Sequence, residues 1–197
     1  RTSTGVCIYR IPMEVFPNFI GYSFLLLDAG PPTLVDAGSG YGNSTPHLLA
    51  GLAAIKDDFG EPLERQDIQR LIVTHGHIDH FGGVEGVASR EALASGDIEI
   101  VAPEGFIEAV ADENVLGGQV MGRRAGYMYG FFLPRTPRGH IDSGLGKSPA
   151  IGTYSIAGPT RTVSATGERL VLDGVEFVFQ SAPDTEAPAT LTFHLPE

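Results

Sequence analysis

His75-Gly76-His77-Ile78-Asp79-His80 places three imidazoles and a carboxylate in six positions, directly after the apolar run Leu71-Ile72-Val73 and Thr74. A short β-branched run of this kind reads as a buried strand, which would deliver the histidines to a loop at its end. His75 and His77 can approach one ion from that loop, whereas Asp79 and His80 point to a second position one short turn later. Zinc accepts such a mixture of neutral nitrogen and carboxylate, and two neighbouring ions can hold a bridging hydroxide at neutral pH. Gly76 offers the tight backbone path that lets the alternate side chains converge. The run therefore points to metal-assisted hydrolysis.

Outward from this run the chain alternates strands and helices. Gly5 to Ile11, Gly21 to Leu27 and Thr33 to Val35 read as early strands, the last closed by Asp36-Ala37-Gly38. Ser44-Thr45-Pro46 caps a helix to about Phe59, with Leu48, Leu49, Leu52 and Ile55 on one face. A single helix is expected from Gly82-Gly83 to Leu93, a strand over Ile98 to Val101, and a helix from Glu104 to about Gly117. Thr160 to Ser164, Glu168 to Leu172, Val175 to Gln180 and Ala189 to Leu195 read as short antiparallel strands, with a hairpin turn at Asp173-Gly174. Residues 130–158 are rich in Gly, Pro and Ser and read as a loop-rich insertion in one unit spanning 1–197. The class is α/β, with helices covering sheets.

Composition bounds what such a unit can do. A length of 197 residues, 42% of them hydrophobic, supports one well-buried core. Cys7 is the sole cysteine, which excludes an internal disulfide framework and a four-thiolate zinc site. A formal charge of −11 with 13 basic residues argues against nucleic acid as a partner. The apolar run ending at Leu27 is far shorter than the roughly 20 residues of a membrane span. Arg1-Thr2-Ser3-Thr4-Gly5 does not lead into an apolar segment, so an export signal is expected to have been removed or never present. Cytoplasmic and periplasmic or secreted locations both stay open.

The pattern His75-x-His77-x-Asp79-His80, followed by Phe81-Gly82-Gly83, resembles the metallo-β-lactamase superfamily. The resemblance implies a four-layer αββα sandwich with a dinuclear zinc site, His75 and His77 on the first ion and Asp79 and His80 on the second. Asp36, in Leu34-Val35-Asp36-Ala37-Gly38, matches that superfamily's aspartate behind the metal ligands, where a carboxylate would fix a histidine tautomer or order water. Asp79 and Asp36 are the expected catalytic carboxylates.

From about residue 71 onward the chain looks like alkylsulfatases of the SDS-hydrolase type. The likeness is carried by Glu113-Asn114-Val115, Arg123-Arg124-Ala125-Gly126-Tyr127-Met128-Tyr129-Gly130, Gly144-Leu145-Gly146 and Thr185-Glu186-Ala187-Pro188. It implies that Glu186 is a further metal ligand, and that a zinc-held hydroxide cleaves an alkyl sulfate to alcohol and sulfate. Family ligands that follow the last strand have no counterpart before Glu197, so the sandwich is expected to be incomplete at its C-terminal side. A further segment or a second copy would complete the second metal site. His194 and His140 are weak substitutes, and His47 is expected on a helix surface.

Arg123 and Arg124 are candidates for holding an anionic head group, Asn114 for orienting it and Tyr127 for lining the approach. Competing readings are a hydrolase of lactones, thioesters or β-lactams, and a binding module that has lost its metal. The acidic chain makes a phosphodiesterase or nuclease less fitting.

Overall fold

The computed structural model describes residues 1–28, 30–130, 132–139, 153–172 and 175–196. The chain opens on a long antiparallel hairpin of β1 (Cys7–Phe16) and β2 (Phe19–Leu27), in which Cys7 faces Leu27. β1 runs five residues past the expected end at Ile11, because Ile11, Met13 and Val15 continue the buried alternation. Pro12 does not stop it: β1 is the edge of its sheet, where a missing N–H is tolerated.

β3 (Thr33–Val35) joins β2 antiparallel, and β4 (Arg70–Ile72) and β5 (Glu99–Pro103) follow in parallel. β6 (Arg161–Val163) then pairs parallel to β5, which corrects the expected antiparallel arrangement for this segment. Two of its three residues are exposed, so the pattern carries no period to reveal its partner. Backbone bonds from Thr160 to Ile100 and from Glu104 to Val163 set its place. The second sheet is antiparallel, in the order β7 (Arg169–Leu172), β8 (Val175–Ser181), β9 (Leu191–His194). The turn expected at Asp173-Gly174 lies outside the described residues.

α1 (Ser44–Phe59) buries Leu48, Leu52 and Ile55 and ends at Gly60 in a left-handed conformation. After it come α2 (Ile78–Phe81), α3 (Val84–Val87) and α4 (Arg90–Ser95). The single helix expected to run to Leu93 is thus broken. Ala88 and Ser89 are extended, and the Ser89 hydroxyl accepts the Ala92 N–H at 3.2 Å to cap α4. α5 (Phe106–Val110) passes into a π-helical turn (Ala111–Leu116) and then α6 (Gly118–Met128), in place of the one helix expected from Glu104.

Adjacent residues of the central strands feed two cores. Leu25, Leu34, Leu71 and Ile100 pack with Leu48, Leu52, Phe81 and Phe106 of the helix layer. Their neighbours Leu26, Val35, Ile72 and Val101 pack with Phe177, Phe179 and Leu191 of the second sheet. Period-two alternation thereby makes the strands apolar on both faces, as a sheet sandwiched between two layers requires. The architecture is the αββα sandwich, of which the described residues form the helix layer on the first sheet and both sheets. Within 130–158, the described residues 132–139 and 153–158 hold no helix or strand. His140 and Gly144-Leu145-Gly146 lie outside the described residues.

Candidate metal centre

The site forms where the C-terminal end of β4 meets the start of β9. The chain leaves β4 through Val73 and Thr74, and Thr74 C=O accepts the Leu191 N–H at 3.0 Å while His75 bridges to Thr190. This contact carries the loop before β9, with Glu186, to the histidines. His75 is buried; Glu186 Oε1 stands 3.9 Å from His75 Nε2 and 4.0 Å from His77 Nδ1. One ligand atom from each of these three residues fits within a 4.8 Å spread.

Behind this trio Asp36 organises two of the imidazoles. It sits just past β3 with φ 58°, a left-handed conformation uncommon outside glycine, and is nearly fully buried. Its carboxylate accepts the Thr74 N–H at 2.9 Å, the Thr74 hydroxyl at 2.9 Å and His80 Nδ1–H at 2.8 Å. The Thr74 hydroxyl gives its proton to Asp36, so its lone pair accepts Nδ1–H of His75, 3.0 Å away. In its neutral form, a ring held in this way keeps Nε2 as the nitrogen free to bind a metal. Nε2 of His75 is buried without a hydrogen-bond partner among the described residues.

An unpartnered buried acceptor costs about 1–3 kcal/mol, and here it faces a carboxylate oxygen, a second acceptor. A cation between them satisfies both. The fit to zinc rests on this orphaned lone pair and on the two-imidazole, one-carboxylate donor set. Burial, with the positive charge of His80 next, lowers the His75 pKa to about 4. For His80, burial acts downward but is outweighed by the hydrogen bond and charge of Asp36, with Asp79 and Glu186, raising its pKa to about 9. Without a metal, His75 is therefore a neutral ligand at pH 7 and His80 an imidazolium.

Asp79 and His80 lie together on α2, with Asp79 Oδ2 3.6 Å from His80 Nε2, and the His80 ring centroid is 4.0 Å from that of His75. They form a pair beside the trio, and neither belongs to a group of three ligand atoms among the described residues. His194 is exposed on β9, and His47 is exposed on α1, its Nδ1 accepting the Glu14 N–H. A different trio, Cys7, Asp28 and Glu61, lies at the far end of β1. Its carboxylates already meet Arg1 and the Tyr9 hydroxyl. A cavity of about 540 Å³ opens beside the metal centre, walled by His77, Glu104, Glu108, Asp112, Glu113 and Glu186, with Met121 contributed by α6.

The family model of the metallo-beta-lactamase superfamily matches residues 17–167, three-quarters of the chain. The chain belongs to the metallo-β-lactamase superfamily. Among curated relatives it is 40% identical over 133 residues to the alkyl/aryl-sulfatase BDS1 of Saccharomyces cerevisiae, covering 68% of this chain and 21% of that one. It is 33% identical over 186 residues to an (R)-specific secondary-alkylsulfatase of Pseudomonas sp., covering 93% and 28%. The solved structure of the inverting sec-alkylsulfatase Pisa1 from Pseudomonas sp. superposes with a TM-score of 0.75 at 28% identity, over 96% of this chain and 28% of that one. The chain thus spans between a fifth and three-tenths of the length of these relatives.

In this superfamily member the structure brings His75, His77 and Glu186 together, sets Asp79 and His80 beside them, and puts Asp36 behind His80 and, through Thr74, behind His75. It does not bring the four expected substrate contacts to the same place. Asn114 donates its amide to Val110 C=O at 3.1 Å, within the π-helical turn. Arg123, Arg124 and Tyr127 are exposed on α6 and do not line the cavity, and the Tyr127 ring packs edge-on against Phe132. Two further side chains stand at the site, Thr74 against Asp36 and His75, and Glu113 in the cavity wall with Oε2 3.7 Å from His77 Nε2. The only sequence signal for Thr74 is its place as the polar residue between a buried strand and the first histidine, and for Glu113 its place in the motif Glu113-Asn114-Val115.

Proposed function

We propose that this chain carries the metal centre of a zinc-dependent hydrolase that cleaves alkyl sulfate monoesters, converting R–O–SO₃⁻ and water to R–OH and hydrogen sulfate. The observation that carries the reading is the bare, buried Nε2 of His75 facing Glu186, in a chain similar to alkylsulfatases over most of its length. His75, His77 and Glu186 would hold one ion, and Asp79 with His80 would offer two ligands to a second. Bound zinc supplies Lewis acidity and makes water nucleophilic near neutral pH.

The chain's own residues orient that centre. Thr74 and Asp36 engage Nδ1 of His75 and His80 and so direct Nε2 of each ring to the ion positions, where His80 must give up its second proton to ligate, and the Asp79 carboxylate beside His80 serves as a local proton acceptor. On this reading Arg123 and Arg124 give positive potential to the sulfate, Asn114 orients it and Tyr127 receives the alkyl tail. Arg124 follows the wall residue Met121 by three positions, hence on the neighbouring turn of the same helix face. The second position is completed by donors from a further segment or a second copy. Among the described residues no helix is long and apolar enough to cross a membrane.

One observation favours a second reading. The cavity wall carries five carboxylates and no lysine or arginine, a field that suits a neutral ester, lactone or thioester better than an anion. Parallel assays of zinc-loaded protein on decyl sulfate, a lactone, a thioester and a β-lactam decide between them. Sulfate release that falls with His77→Ala supports the first; turnover of the neutral esters with none of decyl sulfate replaces it by the second. Solvent oxygen-18 recovered in the alcohol would assign attack to carbon, and in sulfate to sulfur.

A further inference from the structure

We infer that Glu113 is a positioning residue for the metal centre: its carboxylate receives Nε2–H of His77 and so turns Nδ1 of that ring toward His75 and Glu186. The inference rests on the metal-centre reading above.

Imidazole ligands nearly always donate their other N–H to an oxygen, which fixes tautomer and ring direction. His75 has Thr74 for this purpose and His80 has Asp36. His77 lacks a comparable hydrogen bond among the described residues. Its Nδ1 shares Glu186 Oε1 with His75 Nε2, at 4.0 and 3.9 Å, so Nδ1 is the nitrogen that faces the ion position. Nε2 points away from that position, and Glu113 Oε2 lies 3.7 Å from it. The separation exceeds a direct hydrogen bond, and a side-chain movement of less than about one ångström brings it into the range of 2.7–3.2 Å.

Helix geometry explains why a carboxylate stands there. Gly117 N–H bonds to Asp112 C=O at 2.7 Å, five residues back, so the turn from Ala111 to Leu116 holds one residue more than an α-turn. One extra residue rotates what surrounds it by about 100° relative to a continuous α-helix. Such turns concentrate at functional sites. Here the turn sets Glu113 in the cavity wall beside His77, half-buried, while Val115 and Leu116 face outward. Glu113 does not join the trio whose ligand atoms lie within 4.8 Å, which separates the orienting role from ligation.

The test measures zinc affinity by chelator competition for the parent, Glu113→Ala and Glu113→Gln proteins, with the ring-nitrogen ¹⁵N resonances of His77 recorded without metal. Glu113→Ala should bind zinc about 10- to 100-fold more weakly, and Glu113→Gln, which keeps an acceptor oxygen, should recover most of that loss. The parent should show His77 protonated at Nε2. Parent-like affinity in Glu113→Ala, equal loss in both variants, or a parent His77 protonated at Nδ1 would each overturn the inference while leaving the metal centre standing. A parent that takes up no zinc removes the metal centre and the inference together. Should Glu113→Ala fail to fold, the parent ¹⁵N pattern decides alone.

Discussion

Asp36 Oδ2 lies 2.8 Å from His80 Nδ1, and the same carboxylate takes the Thr74 hydroxyl that in turn faces His75 Nδ1. One buried side chain just past β3 thus sets ring direction for both His75 and His80. It does so from a left-handed backbone, held by the Asp36 N–H bond to Ile72 C=O and by Ser23 Oγ on its own carbonyl. Asparagine tolerates that conformation, so Asp36→Asn isolates the charge from the strain.

Asp36→Asn should lower zinc affinity about 10- to 100-fold and global stability by about 1.5–3 kcal/mol, the scale of a hydrogen bond to a charged group. Chelator competition and urea unfolding of the metal-free protein check the two figures. Parent-like values in both would remove Asp36 from the account.

Thr74→Val deletes the hydroxyl at nearly constant shape and leaves His75 Nδ1 without its acceptor. Zinc affinity should fall by at least tenfold, whereas Thr74→Ser should stay close to the parent. Equal affinities for Val and Ser would show that the Thr74 side chain only packs.

Stability of the metal-free protein should peak near pH 6.5. His75 titrates at about 4 when folded against 6.5 in the unfolded chain, so between those values the unfolded state binds more protons and stability falls as pH falls. His80 titrates at about 9 against 6.5, so in that window the folded state binds more protons and stability declines as pH rises. Thermal midpoints from pH 4 to 9.5 in chelator trace both arms. His80→Gln should flatten the alkaline arm and, because the His80 charge helps to lower the His75 pKa, also reduce the acid arm; an unchanged alkaline arm in that variant would contradict the Asp36–His80 pairing.

Gly83 lies where the loop after β3 presses on the turn between α2 and α3. A Cβ there would come 2.2 Å from Ala37 C=O, a backbone atom that cannot swing aside. Gly83→Ala should therefore cost about 1–3 kcal/mol and shift Asp36 relative to His80, weakening zinc binding as well. Gly76 differs, since its Cβ would meet Val110 Cγ2 at 3.2 Å and a side chain can yield. Its φ is not left-handed, so closeness to α5, rather than a special turn, is the local reason for glycine. Urea midpoints of the two alanine variants should separate by at least about 1 kcal/mol.

Where a periodic pattern ran long or a motif was dense, the fold could be read from residues alone. α1 begins at Ser44 and ends at Phe59 as its leucine spacing implies, and β3 coincides with Thr33–Val35. The histidine run was legible because four potential ligands so close together have few other uses. β6 was not, since a three-residue strand with one buried side chain takes its direction from its neighbour. The break at Ser89 was hidden because a serine inside an apolar period reads equally as a helix residue or a cap. Asn114 donates its amide to a backbone carbonyl one turn away, a local contact that spacing does not reveal. Glu113 was obscured for a related reason: the π-helical turn changes the face on which a residue emerges.

The central claim, that His75, His77 and Glu186 gather a metal ion, is tested most directly by zinc content per chain after reconstitution and removal of excess metal. The account predicts at least one tightly held zinc per parent chain, with retention sharply reduced in His77→Ala and Glu186→Gln while both variants stay folded. A parent protein that emerges zinc-free, or variants that retain the parent's zinc, would contradict it.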